Sequence, residues 1–155
     1  MKDMPTTGKI HATTWHEMHR ESIDLAARLA DHGPWRGMAA ISRGGLVPGA
    51  VVARVLGIRL IETICIASYD GREKGAIEVL KGAPEAAGDG AGWLLIDDVA
   101  DSGATAAEAR RMLPAAHYAA LYVKPAGRPF VDTHIREVDQ DVWIDFPWDR
   151  DPHEP

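Results

Sequence analysis

Short, almost wholly apolar runs alternate with helix-patterned stretches along this chain, and that alternation constrains its fold more than any other feature. Residues 38–42 (MAAIS), 60–69 (LIETICIASY), 93–96 (WLLI) and 117–124 (HYAALYVK) read as strands. Runs this apolar leave no face for water, which places them in a parallel sheet covered on both sides. Between them, Leu46–Leu56 reads as a helix, with Pro48 in the first turn and Gly57 suited to cap its end. A second helix over 105–113 is stopped by Pro114. Ahead of the first strand, Thr14 and Glu17 have capping-box spacing, and Trp15, Met18, Leu25, Ala26 and Leu29 recur at helical intervals. Residues 141–146 (DVWIDF) predict a last strand near the rim, and 70–92 reads as a long irregular connection of the kind that forms lids or disordered loops. The expected architecture is α/β, a central mostly parallel sheet flanked by helices in a single domain over 1–155.

At 155 residues the chain suits one domain with a sizeable core, and no linker or repeat divides it. A net charge of −6 argues against general nucleic-acid binding, which needs a basic face. No apolar run approaches a membrane span, the first residues (MKDMPTTGKIHATTW) lack a signal-peptide core, and nothing supports peripheral membrane contact. Cys65 stands alone, so it reads as an inert strand residue in a cytosolic protein. His16 and His19 lack further ligands nearby and read as a solvated helix face.

In an α/β sheet of this kind, ligands collect at the carboxyl ends of the strands. The unusual residues lie there: Arg43-Gly44-Gly45, the run 97–105, and Lys124. Asp97, Asp98 and Asp101 are three carboxylates within five residues, followed by Ser102, Gly103, Ala104 and Thr105 at a helix start. Small residues at a helix N-terminus present unpaired N–H groups to an anion, and the two hydroxyls add donors. Carboxylates only accept, so Asp97 and Asp98 suit sugar hydroxyls or a divalent cation. A ribose 5-phosphate carries both features. The plainer alternative is that Asp101 or Ser102 caps the helix and the remaining carboxylates are solvated.

The chain has no G-x-x-x-x-G-K-[ST] loop and no G-x-G-x-x-G after a strand. The segment LLIDDVADSGAT, however, resembles the signature of the type I phosphoribosyltransferases. AISRGGLVPGAVVARVLGIR, SYD, YVKPAGRP and DVWIDFPWD follow the order and spacing of bacterial purine-salvage members of that family, over about 35–149. Ser102 and Ala104 stand where the family commonly has threonine and glycine, and Ala104 is tolerated only with a negative φ.

The resemblance implies transfer of a phosphoribosyl group from phosphoribosyl pyrophosphate to a 6-oxopurine, with Mg²⁺. It implies a small hood over about 68–92 and a purine-binding part over about 124–149. Arg43 and Gly44 would hold pyrophosphate in a loop with a cis peptide, and the run 97–105 would hold ribose 5-phosphate. Asp98 would be the protein's contact to the metal. Asp101, near purine N7, is the candidate catalytic residue. Lys124 would bond the 6-oxo group, Trp143 would stack on the purine, and Ile144 would read its 2-position through backbone groups. Arg72 and Lys74 would sit in the hood. Arg128 is open between a pyrophosphate contact and a subunit interface. The family usually forms dimers or tetramers. The alternatives are a regulator that senses phosphoribosyl pyrophosphate with the same fold, and an enzyme for another base.

Overall fold

The computed structural model describes residues 8–69 and 76–150. Its first strand, β1 (Lys9–Ala12), leads into α1 (Trp15–Leu29), and β2 (Gly37–Ser42) into α2 (Leu46–Leu56). Then come β3 (Ile61–Tyr69), β4 (Ala76–Lys81), β5 (Trp93–Ala100), α3 (Ala104–Met112), β6 (His117–Val123), β7 (Thr133–Glu137) and β8 (Val142–Asp145). Six strands form the main sheet in the order β4-β3-β2-β5-β6-β7, while β1 and β8 pair as a separate two-stranded ribbon. Among the described residues, only β4 runs antiparallel within the main sheet.

The central strands match the apolar runs because both faces are covered. Met38, Ala40, Leu94 and Ile96 pack under α1 and α2, while Ala39, Ile41, Trp93 and Leu95 pack on the other side with Ala106, Ala109 and Leu113 around α3. Alternate side chains of one strand thus enter opposite layers. The capping box is present at the start of α1. Thr14 N–H donates to Glu17 Oε2 at 2.8 Å and Glu17 N–H to Thr14 Oγ1 at 3.2 Å, an arrangement worth about 1 kcal/mol. α2 ends at Gly57 in the left-handed conformation.

Several expectations need correction. β5 runs to Ala100, so Asp97 and Asp98 belong to the strand and not to a turn after it. Trp15 is 58% exposed instead of inward-facing, and its ring meets that of Trp148 at 5.9 Å. The connection over 70–92 is not wholly irregular: β4 pairs with β3 from Ala76 onward, and Glu85–Ala87 forms a 3-10 turn. Arg72 and Lys74 lie outside the described residues. β1, β4 and β7 had no counterpart in the sequence reading. Each lies in the ribbon or at a sheet edge, where a strand needs no continuous apolar run.

Candidate active site

Neighbouring strands deliver neighbouring turns. β2 ends in a cis peptide between Ser42 and Arg43, and Gly44-Gly45 leads directly into α2. Gly45 N–H donates to Ile41 O at 2.9 Å and Leu46 N–H to Arg43 O at 3.1 Å, closing a tight loop with an exposed Arg43 side chain. A Cβ on Gly44 would press on the Asp98 carboxylate, and one on Gly45 would collide with the backbone oxygens of Ile96 and Ile41, so glycine at 45 lets this loop lie against β5.

The end of β5 supplies the second turn. Gly103, at φ 82°, caps α3 without a side-chain bond, and a Cβ there would meet Ala126 O at 2.6 Å. Ala104 has no positive φ, so the position in doubt carries no strain. Neither Asp101 nor Ser102 is the helix cap. Ser102 Oγ only receives the Ala104 N–H, at a long 3.4 Å. Arg43, Gly44, Asp97, Asp98, Asp101, Ser102, Gly103 and Thr105 line one cleft of about 520 Å³, with Cys65 on its wall, whereas Ala104 does not line it.

Asp97 and Asp98 resolve their crowding differently. Asp97 is buried; its Oδ1 accepts from Asp98 N–H at 2.9 Å and its Oδ2 from the Tyr118 hydroxyl at 3.3 Å. Burial, reinforced by the charge of Asp98, holds the Asp97 carboxyl well above the ordinary carboxylate range. Burial and the neighbouring Asp97 likewise raise the Tyr118 phenol. Asp98 takes the Val99 N–H at 2.7 Å and borders both the cleft and a smaller recess.

That recess, about 30 Å³, is bounded by Asp98, Asp101, Lys124, Trp143, Ile144 and Asp149. Lys124 N–H donates to Ala100 O at 3.0 Å, which fixes the end of β6 beside the start of the turn that leads into α3. The Lys124 side chain is 6% exposed, and its Nζ meets Asp101 Oδ2 at 2.8 Å. A buried ammonium needs such a partner. Trp143 is carried on β8, opposite Ile10 of β1, with Ile144 opposite His11. The sequence-derived residues therefore gather around two adjoining hollows. Arg128 does not join them: it bonds Glu137 Oε1 at 3.2 Å and lines a different recess.

Three participants in this arrangement escaped sequence reading. Gln140 donates to Asp101 Oδ1 at 3.0 Å across 39 residues of chain, and no local pattern announces it. Tyr118 becomes predictable once β5 and β6 are paired, since Asp97 lies opposite Ala120 and Tyr118 is its diagonal neighbour. Asp149 borders both hollows and stands in the DVWIDFPWD motif, of which only Trp143 and Ile144 were assigned a role.

Residues 12–154 match the phosphoribosyl transferase domain family. Over 144 residues the chain is 54% identical to the xanthine-guanine phosphoribosyltransferase of Nitratidesulfovibrio vulgaris, covering 92% of this chain and 86% of that one. It is 51% identical to the enzyme of the same name from Desulfotalea psychrophila, covering 92% and 88%. The crystal structure of a purine phosphoribosyltransferase from Pyrococcus horikoshii superposes with a TM-score of 0.75 at 24% identity, over 94% of this chain and 98% of that one, a likeness that speaks to fold. With the sheet order, the paired turns and these relatives together, the chain belongs to the type I phosphoribosyltransferases.

Proposed function

We propose that this protein transfers the 5-phosphoribosyl group of phosphoribosyl pyrophosphate to N9 of a 6-oxopurine, releasing pyrophosphate in purine salvage. Guanine and xanthine are the expected substrates, with hypoxanthine the third. The C1′–O bond to pyrophosphate breaks, the C1′–N9 bond forms, and the base gives up a proton. In the proposed pose, pyrophosphate lies by Arg43 and the amides of Gly44, while the 5-phosphate lies over Ser102, Gly103, Ala104 and Thr105. Asp97 and Asp98 face the ribose hydroxyls. Arginine offers a planar fork to phosphate oxygens, and the start of α3 supplies oriented N–H groups.

The observation that carries this reading is the Lys124–Asp101 pair, set at 2.8 Å between the phosphate-type turn and Trp143. Lysine only donates, so it suits a 6-oxo group and rejects the 6-amino group of adenine. Asp101, next to it, suits the N7 side, where it stabilises the proton that moves as the ring changes state. Trp143 gives a face for stacking, and Ile144 offers backbone groups to the 2-position.

Mg²⁺ fits this donor set in a limited way. Among the described residues no three acidic, histidine or cysteine side chains converge, so a cation would take most of its ligands from substrate and water, with Asp98 as the protein contact. When bound it neutralises charge on the pyrophosphate. The proposed hood over 68–81, which would keep water from the sugar, includes residues 70–75, outside the described residues. We also take the protein to be cytoplasmic and to self-associate as a dimer or tetramer. No described helix is long and apolar enough to cross a membrane. Exposed Leu46 and Val55 on α2, with Leu60 and Ile61 at the start of β3, offer apolar surface to a second copy.

The deciding assay supplies protein, Mg²⁺ and phosphoribosyl pyrophosphate with guanine, xanthine, hypoxanthine, adenine or orotate. Pyrophosphate release with the first two and none with adenine is the expected result. Release with none of them overturns the reading in favour of a regulator that binds the same nucleotide-like ligand.

A further inference from the structure

Asp101 is held from two sides, by Lys124 Nζ at Oδ2 (2.8 Å) and by Gln140 Nε2 at Oδ1 (3.0 Å). The two donors differ in what else they must do. Lys124 is buried, and in the proposed pose its ammonium donors are shared between Asp101 and the purine 6-oxo group. Gln140 is exposed and uncharged, and it has no such second duty.

Its orientation is forced. Gln140 Oε1 accepts the Ala126 N–H at 3.0 Å. A backbone N–H can only donate and a carboxylate can only accept, so the amide nitrogen must face Asp101. Gln140 lies in the turn that precedes β8, closed by Val142 N–H to Asp139 O at 3.1 Å. One side chain thus ties together the turn after β5, the turn after β6 and the approach to the strand that carries Trp143.

From this geometry we infer that Gln140 is a positioning residue for the transfer reaction, holding the Asp101 carboxylate toward the purine while Lys124 also serves the base. The inference rests on the function proposed above and adds a residue to it. In this arrangement, Gln140 supplies the one hold on the Asp101 side chain that is not shared with the base. Without Gln140, Asp101 (54% exposed on its side chain) would be held at one oxygen only and could turn toward water about that contact.

Two substitutions separate positioning from mere tethering. Gln140→Met fills the space but makes neither bond. Gln140→Glu keeps an acceptor for Ala126 N–H and presents a second carboxylate to Asp101. Both are expected to lower kcat with guanine about tenfold, about 1.4 kcal/mol in barrier height. KM for phosphoribosyl pyrophosphate should stay within about twofold. Wild-type kcat in Gln140→Glu would overturn the inference, because the Ala126 tether would then suffice, as would wild-type kcat in Gln140→Met. Should Gln140→Met fold poorly, Gln140→Glu decides alone. Wild-type protein inactive with every purine defeats the functional reading and this inference with it, whereas active wild-type beside an equally active Gln140→Glu defeats this inference alone.

Discussion

At the scale of single residues, the site is a set of carboxylates given different environments by one strand and one turn. Asp101 is solvent-accessible and paired, whereas Asp97 is buried among apolar neighbours of β5 and β6. Asp101→Asn keeps a Lys124 partner while removing the charge. Turnover of guanine should fall by roughly 100-fold or more, and Tm should fall as well because the buried Lys124 ammonium loses its counter-charge, read by steady-state kinetics beside thermal unfolding. Asp97→Asn should do the reverse to stability. The unfolded chain ionises Asp97 freely at pH 7, whereas the fold must protonate it or bury its charge, and each choice lowers stability. Asparagine removes that conflict, and the Tyr118 hydroxyl can turn to accept its N–H. A Tm increase of about 3 °C with weaker phosphoribosyl pyrophosphate binding is the expected pairing. A lower Tm would show that the carboxyl form is needed for packing. The identities of these carboxylates were legible in the sequence because strand, acidic pair, small-residue turn and helix are contiguous. Their environments were not, because Tyr118 and Gln140 reach them through strand pairing and a distant turn.

At the scale of elements, the central strands and all three helices were readable because each obeys one rule along its length: continuous apolarity for β2, β5 and β6, a capping box for α1, Pro48 and Gly57 for α2. β1 (KIHA) and β7 (THIRE) break such rules. A strand that pairs on one side, at the rim, can carry histidine, lysine or arginine without burying them. β1 matters nonetheless, since it is the pairing partner of the strand that bears Trp143 and Ile144. A chain beginning at Thr13 should retain the main sheet and its cleft. KM for guanine is expected to rise about tenfold and that for phosphoribosyl pyrophosphate to stay within about twofold. Equal losses for both substrates would mean that the ribbon supports the whole site and not just the base.

At the scale of the molecule, two histidines at the far end of β6 and on β7 link stability to pH. Burial lowers His117, partly offset by Asp132, and lowers His134, helped by the charge of Arg128. Below about pH 6.5 the unfolded chain takes up protons that the folded histidines refuse, so stability is complete above that value and is lost as pH falls through their lowered folded values. A pH series of thermal unfolding should show Tm declining in that window. His117→Asn should start lower, having lost the 2.8 Å contact to Thr133, yet decline less steeply. An unchanged slope would exonerate His117. The same architecture has a consequence for ligand choice. β2 and β5 are hydrogen-bonded neighbours about 4.8 Å apart in fixed register, Ala40 beside Ile96, so the separation of the turns at their ends is set by the sheet, which scarcely allows it to vary. The sheet is in effect a caliper with fixed jaws: polyanions are sorted by reach before any side chain discriminates among them, and substitutions in the covering helices can alter grip but not gauge.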